Sequence, residues 1–254
     1  MHIPKTHPRY ASLKIREKLV NGIRDGIVVM HGLIAHGRGE AFDYILGERT
    51  HPFAKRAEKI AAAYLILAKK PVISVNGNTA LLVPKDIAKL SKLLENCRIE
   101  VNLFHRNKER VEKIIELLEN YGCKDVLGRA QDAKITGLNH SRALCCKNGI
   151  YSADVVFIPL EDGDRAITLR NAGKKVIAVD LNPFSRTSRV ANVTIVDNII
   201  RALPYIIFYL KKMKMKNKAE VERLISEHDN KKNLEEAVRY IIKWLKHERN
   251  RETH

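Results

Sequence analysis

KKVIAVDLNPFSRTSRVANVTIVDNII, residues 174–200, carries the clearest signal of the fold. Within it, two runs of β-branched and apolar residues, 176–179 and 193–196, each predict a short buried strand, because such side chains pack well on a pleated sheet. A polar loop that begins at Asp180 separates the two runs. Ligands of open α/β sheets bind outside the carboxyl ends of the strands, so a site is first expected in this loop.

The end of the second run supports the same expectation. Asp197 and Asn198 can cap a following helix over residues 199–210. A helix start presents free N–H donors and a positive dipole end, which suit a phosphate. Both features predict a phosphate-bearing ligand here.

Strands and helices alternate through the rest of the chain. Short apolar runs predict further strands at residues 71–75, 99–104, 126–127 and 155–158. Amphipathic or alanine-rich runs predict helices at residues 11–23, 54–69, 84–94, 108–121, 139–147, 165–172, 219–227 and 233–247. This alternation is typical of βαβ units, so we predict the α/β class, a mainly parallel sheet flanked by helices, with helical additions at both termini.

Neither an internal repeat nor a linker rich in Ser, Pro or Gly interrupts the chain, so we expect one α/β domain over residues 1–254. It comprises an N-terminal helical part (1–70), a core (71–210) and C-terminal helices (211–254). In the first part, the glycines at positions 32, 37 and 39 predict a mobile or tightly turned segment. A short helix is expected from Glu40 to Leu46.

Composition narrows the class of protein. With 254 residues, 45% of them hydrophobic, the chain can form a packed core. It contains no apolar run of 18 residues, and its N-terminus, MHIPKTHPRY, is too polar for a signal peptide, so we expect a cytoplasmic protein without a membrane partner. The four cysteines show no CxxC spacing, which disfavours a zinc site or a disulfide framework.

The net charge of +17 fits nucleic acid, an anionic membrane surface or small anionic ligands. Much of the excess is lysine near residues 211–218, at a spacing typical of a solvated helix face. Only 6% of the residues are aromatic, so few side chains are available to stack on bases. We therefore expect no nucleic-acid partner, and keep a non-catalytic basic nucleic-acid-binding protein as the alternative.

Common nucleotide motifs are missing, because the chain contains neither GxxxxGK[ST] nor a GxGxxG that follows a strand. Instead, polar loops follow four predicted strands, at residues 76–78, 105–107, 161–164 and 180–189. Parallel strands would bring these loops to one edge of the sheet, which favours a site over four unrelated solvated connections.

Several side chains in these loops have chemistry suited to binding a nucleotide or another anion. An aspartate just after a strand, such as Asp180, commonly binds a ribose hydroxyl, and Arg186 and Arg189 have planar donor forks that suit phosphates. Arg38, in a glycine-rich segment, is a further candidate. His140 and Arg142 are either anion ligands or an ordinary exposed face.

Six stretches together resemble one known family. They are GLIAHGRGEAFDYILGE at 32–48, VISVNGNTALLVP at 72–84, NLFHR at 102–106, IYSADVVFIPLEDGDR at 150–165, VIAVDLNPFSRT at 176–187 and VTIVDNIIRALP at 193–204. In this order they are similar to the archaeal phosphopantothenate synthetase family, also called 4-phosphopantoate:beta-alanine ligase. The resemblance implies a Rossmann-like core, a homodimer and the ATP-dependent condensation of 4-phosphopantoate with beta-alanine. The products would be 4'-phosphopantothenate, AMP and diphosphate, on the archaeal route to coenzyme A.

The resemblance also implies site residues. The positions that correspond to the family's ATP contacts are Arg16, Arg38, Asp180, Leu181, Asn182, Arg186, Thr187, Asn198 and Ile199. As hypotheses for 4-phosphopantoate we take His105, Arg106, His140 and Arg142. Magnesium is expected to enter with ATP, and no metal ligand is assigned, although Glu161, Asp162 or Asp164 would each offer a carboxylate.

The release of AMP and diphosphate suggests an acyl adenylate that the amine of beta-alanine opens. Two alternatives stay open at this point. One is the nucleic-acid-binding protein, and the other is a Rossmann-like enzyme with a different nucleotide substrate.

Overall fold

The computed structural model describes residues 4–7, 9–138, 140–159 and 163–251. The strands are β1 (Pro71–Val75), β2 (Arg98–Val101), β3 (Ala133–Lys134), β4 (Leu144–Cys145), β5 (Val155–Pro159), β6 (Lys175–Val179) and β7 (Val193–Ile195). Five of them form a sheet in the order β2-β1-β5-β6-β7, in which every neighbouring pair is parallel. The short strands β3 and β4 pair antiparallel outside it.

Both faces of the main sheet are covered. Successive side chains of a strand point to opposite faces, and accordingly Phe157 and Ile177 pack in one hydrophobic core while Val156 and Val176 pack in another. Strands buried on two faces consist of continuous apolar residues, as the runs at 155–158 and 176–179 do. The predicted α/β class with a mainly parallel sheet is confirmed.

The helices cover both faces and extend the chain at both ends. They are α1 (Tyr10–Arg24), α2 (Met30–Ile45), α3 (Pro52–Leu67), α4 (Gly77–Leu82), α5 (Pro84–Leu93), α6 (Lys108–Asn120), α7 (Gly163–Asn171), α8 (Arg186–Val190), α9 (Ile199–Met213), α10 (Lys218–Ser226) and α11 (Asn230–Arg251). No helix in the described part of the chain combines the length and apolar character needed to span a bilayer.

The prediction for the glycine-rich segment was wrong, because α2 is a continuous helix that begins ten residues before Glu40, at Met30. Gly32 allows a close approach between helices instead of a turn. A Cβ added to Gly32 would lie 2.7 Å from Oδ1 of Asn78, whose Nδ2 donates to the Gly32 carbonyl at 2.8 Å. Tertiary contact here outweighs the low helix propensity of glycine.

The predicted strand at 126–127 was also wrong. Leu127 forms only an isolated parallel bridge to Glu100. Asp125 and Gly128 on either side have φ of 49° and 138°, which end the extended backbone after two residues.

No α-helix forms over the described part of residues 139–147, and the proposed cap Asn139 lies outside the described residues. A 3-10 turn (Ser141–Ala143), β4 and a π-helical turn (Lys147–Tyr151) replace it. The cause is a long-range contact, since the carboxylate of Glu100 accepts hydrogen bonds from the backbone N–H groups of Cys146 (3.1 Å) and Ile150 (2.7 Å).

The sheet order places a site at one edge. From β1 the chain goes to β2 on one side and later to β5 on the other, so the order reverses between β1 and β5, where ligands bind in such sheets. Helix α2 runs along this carboxyl edge. Gly32 contacts Asn78, after β1, and an added Cβ at Gly39 would lie 3.6 Å from Leu181, after β6.

Candidate active-site cleft

A cleft of about 560 Å³ opens at the carboxyl edge of the sheet. Helix α2 forms one wall through Gly32, His36 and Gly39, and the segments that follow β1, β2 and β6 form the other. His36 is only 8% exposed. The four polar loops predicted to converge lie at this edge, as far as the structure describes them.

At the β6 side, Asp180 organises the loop that follows β6. One carboxylate oxygen accepts from the backbone N–H of Asn182 at 2.9 Å, and the other accepts from the hydroxyl of Ser185 at 2.5 Å. Burial raises the pKa of Asp180, while these hydrogen bonds and the charge of Arg38 oppose the rise. The carboxylate therefore holds the loop in one shape and lies near a cation of α2.

Helix α8 extends this end of the cleft. Ser185 caps it by accepting from the N–H of Ser188 at 2.9 Å. The Arg186 guanidinium forms an ion pair with Asp164 of α7 at 2.8 Å, and Thr187 is buried beside it. The two helix starts approach so closely that a Cβ on Gly163 would lie 2.3 Å from Cβ of Arg186.

At the β2 side the cleft is cationic and aromatic. The rings of His31 and His105 lie 4.4 Å apart, and Arg142 lies over Phe104 at 5.9 Å from the ring centroid. Arg110, 8% exposed, donates to the carbonyls of Ile27 (2.9 Å) and His105 (2.6 Å).

Arg110 has no ion-pair partner among the described residues. Burial and the nearby charge of Arg142 lower the pKa of its guanidinium. Two cations held together in a cleft favour an anionic ligand, because an anion cancels their repulsion. The sequence reasoning missed Arg110, although its position on the apolar stripe of a periodic helix, four residues before Ile114, was a usable signal.

Eight of the thirteen residues predicted for ATP or 4-phosphopantoate line the cleft. They are Arg38, His105, Arg142, Asp180, Leu181, Asn182, Arg186 and Thr187. The carboxylates Glu161 and Asp162, which were considered for magnesium, lie outside the described residues.

The other five do not line it. Arg16 forms an ion pair with Glu40 of α2 at 2.7 Å, and Asn198 donates to Asp43 of α2 at 2.8 Å, so both contact the cleft wall from behind. Ile199 is buried in the core. Arg106 donates to the Gly128 carbonyl at 2.6 Å, and His140 accepts from the N–H of Arg142 at 3.3 Å. Their contacts with ligands stay predictions.

A buried network supports α2 from below. Arg201 of α9 pairs with Asp43 at 2.5 Å and with Asp197 at 2.6 Å, and Thr50 donates to Asp197 at 2.6 Å. Glu58 of α3 is fully buried, and burial together with the charge of Asp197 raises its pKa to about 9. The network therefore contains a carboxyl group that is protonated at neutral pH.

Within the described residues, no three His, Cys, Asp or Glu side chains are grouped to hold a metal ion. Both carboxylate oxygens of Asp164 face Arg186. The carboxylate of Asp164 is therefore already paired with a cationic side chain of the protein, Arg186.

Comparison with known proteins agrees with the earlier resemblance. Residues 53–244 match the phosphopantothenate/pantothenate synthetase family. Three similar proteins are named 4-phosphopantoate–beta-alanine ligase. The protein of Thermococcus kodakarensis is 49% identical over 242 residues, which cover 95% of this chain and 92% of the relative. That of Methanosarcina mazei is 50% identical over 244 residues, covering 96% of each chain. That of Methanospirillum hungatei is 52% identical over 239 residues, covering 94% of this chain and 96% of the relative.

The family match spans well over half of the chain, and the relatives are about half identical across nearly all of it. The resemblance to this family is thereby confirmed. This chain belongs to the phosphopantothenate/pantothenate synthetase family.

Proposed function

We propose that the protein is a 4-phosphopantoate:beta-alanine ligase that uses ATP and forms 4'-phosphopantothenate, AMP and diphosphate. The observation that carries the proposal is the identity of about 50%, over nearly the whole chain, with relatives that bear this name. A cleft with cationic groups at both ends fits the reaction, because two anionic substrates must approach each other in it.

In this proposal ATP occupies the β6 side of the cleft. Asp180 and Asn182 bind the ribose or base, while Arg38 and Arg186 bind phosphates through charge-assisted hydrogen bonds. Thr187 lies at the start of α8 beside them. Magnesium would enter with ATP and would neutralise charge on its phosphates, and no group of side chains in the described part of the chain is assigned to hold it.

Arg16, Asn198 and Ile199 belong to the same proposed ATP site by family resemblance. Arg16 and Asn198 are paired with Glu40 and Asp43 on α2. These contacts use only Nε of Arg16 and Nδ2 of Asn198, so the terminal guanidinium nitrogens of Arg16 remain as donors for an ATP phosphate.

4-Phosphopantoate then occupies the β2 side, with its phosphate near Arg110 and Arg142. This end is separated from the loop after β6 by three strand intervals, or about 14 Å. The span allows the carboxylate of the acid to point towards the α-phosphorus of ATP. Arg106 and His140 lie behind this end and would act through the backbone segments that they hold.

The chemistry that follows has two steps. The 4-phosphopantoate carboxylate attacks the α-phosphorus, diphosphate leaves, and an acyl adenylate forms. The amine of beta-alanine then attacks the acyl carbon, and AMP leaves. Such a sequence depends mainly on positioning and on cancelling negative charge, which arginines at both ends of the cleft provide. A homodimer, which the family resemblance implies, stays a prediction.

The test is an assay with ATP labelled at the α-phosphate, 4-phosphopantoate and beta-alanine. We expect AMP and 4'-phosphopantothenate in equal amounts, and neither product when any one substrate is omitted. Release of ADP, or no reaction with the complete mixture, would contradict the proposal. Tight nucleic-acid binding that weakens steeply with salt, in a protein that forms no AMP, would favour the nucleic-acid-binding alternative.

A further inference from the structure

His36, a titratable residue of the cleft, has no role in the proposed binding of either substrate. His36 of α2 faces the cleft and is 8% exposed. Its ring forms no hydrogen bond with any residue that the structure describes. A buried imidazole that lines a cleft without a protein partner has a ring nitrogen available to a ligand.

His36 also lies between the two ends. Along α2 it is five residues after His31, whose ring contacts His105 after β2, and three residues before Gly39, where an added Cβ would lie 3.6 Å from Leu181 after β6. At 1.5 Å per residue these are about 7.5 Å and 4.5 Å along the helix axis. The acyl carbon of an adenylate formed from substrates bound at the two ends would lie over this middle section.

The other cleft histidines lie at the outer, β2 end. His31 and His105 are both exposed and contact each other ring to ring. They are therefore placed beside the proposed phosphate of 4-phosphopantoate and away from the reacting carbon.

We propose, on the basis of the proposed ligase function, that His36 is the general base that accepts a proton from the ammonium group of beta-alanine. The imidazole takes one proton, and the freed nitrogen lone pair forms the C–N bond to the acyl carbon. The C–O bond to AMP breaks, and AMP leaves with the bonding electrons. The second proton of the attacking nitrogen passes to the departing phosphate or to water.

The charged surroundings of His36 agree with this role. Burial lowers the pKa of the imidazole; the charge of Arg16 on α1 acts in the same direction, and Glu40 and Asp43 on α2 oppose both. The lowered pKa favours the neutral imidazole, which is the form that accepts a proton. Once protonated, it is stabilised by the same two carboxylates.

The test separates adenylate formation from amine attack. Hydroxylamine is mostly unprotonated at neutral pH and captures acyl adenylates as hydroxamates without a base. For His36→Gln we expect hydroxamate formation from ATP and 4-phosphopantoate to stay within about twofold of the wild type, while the beta-alanine reaction falls by about 100-fold or more. The pH profile for beta-alanine should also lose the inflection that the imidazole contributes and rise instead with pH, as more of the free amine becomes unprotonated.

His228→Gln is the matched control, because His228 is another partly buried histidine whose pKa burial lowers, and it does not line the cleft. We expect this variant to retain both reactions. A second test variant, His36→Ala, should regain at least about tenfold in the beta-alanine reaction when imidazole is added.

Three results would overturn the assignment. They are equal loss of both reactions in folded His36→Gln, full retention of both, and absence of imidazole rescue in His36→Ala. If the wild-type protein formed 4'-phosphopantothenate but no hydroxamate, the adenylate scheme would fail and this role of His36 with it. If the wild type formed neither, the proposed function itself would be wrong.

Discussion

Arg186 and Arg189 show how one turn of helix separates two arginines that look alike in the sequence. Both were candidates for phosphates. Arg186 faces the cleft beside Asp164, whereas Arg189 borders a shallow groove with Leu234 and Glu235 of α11. The sequence predicted a phosphate-binding loop, but the direction of each side chain depends on where α8 packs.

A pair of matched variants tests this difference. Arg186→Gln should raise the KM for ATP by about tenfold, because the variant loses one charge-assisted hydrogen bond to phosphate at an exposed site. Arg189→Gln removes the same charge three residues away and should change this KM by less than about twofold. Steady-state kinetics with varied ATP at saturating 4-phosphopantoate measures both. Equal effects would remove Arg186 from the proposed ATP site.

At the scale of an element, α2 shows what a glycine pattern cannot reveal. Local rules predicted a mobile or tightly turned segment at residues 32–39, yet the chain forms a helix there, and only Gly32 is in close contact with another element. Gly32 lies against Asn78, while a Cβ on Gly37 would meet no atom within 4 Å. Only the packing of α2 on the sheet edge distinguishes these two positions.

Alanine at each position should therefore have opposite effects on the free energy of unfolding. Gly32→Ala forces the Asn78 amide away and should destabilise the protein by about 1–3 kcal/mol. Gly37→Ala adds helix propensity in open space and should stabilise it by about 0.5–1 kcal/mol. Denaturant unfolding at constant pH checks both. A stabilising effect of Gly32→Ala would contradict the described contact between α2 and α4.

For the whole molecule, the buried network beneath α2 links stability to pH. The pKa of Glu58 in the folded protein is about 9, against 4.5 for the ordinary side chain. Between these values the folded state holds a proton that the unfolded state releases. Stability therefore falls as pH rises through this window, by at most about 1.4 kcal/mol per pH unit.

Glu58→Gln replaces the protonated carboxyl by a neutral group of similar shape and should remove this dependence. We expect the variant and the wild type to unfold at similar temperatures near pH 5, and the variant to be the more stable at pH 8 to 9. Glu116→Gln, at an exposed position of α6, is the control and should show no such divergence. Parallel curves for Glu58→Gln and the wild type would show that Glu58 is not protonated in the folded protein.

The sequence by itself determined most strands and helices of the core and the edge of the sheet where the cleft lies. Apolar runs at 155–158 and 176–179 are long enough for strands buried on two faces, and Asp180 follows directly at a carboxyl end, where ligands bind. Those signals are local, since they depend on neighbouring residues. The six long stretches, taken in their order along the chain, identified the protein family. The periodicity of apolar residues could not have identified it.

Only the tertiary structure decided which side chains meet. Arg110 joins Arg142 because α6 packs beside the segment after β2, and His36 faces the cleft because α2 lies across the carboxyl edge. Glu58 becomes a protonated acid because α3 is buried beside Asp197. These contacts join residues far apart in the chain, and their charge states depend on burial, which is a property of the packed molecule and not of any short segment.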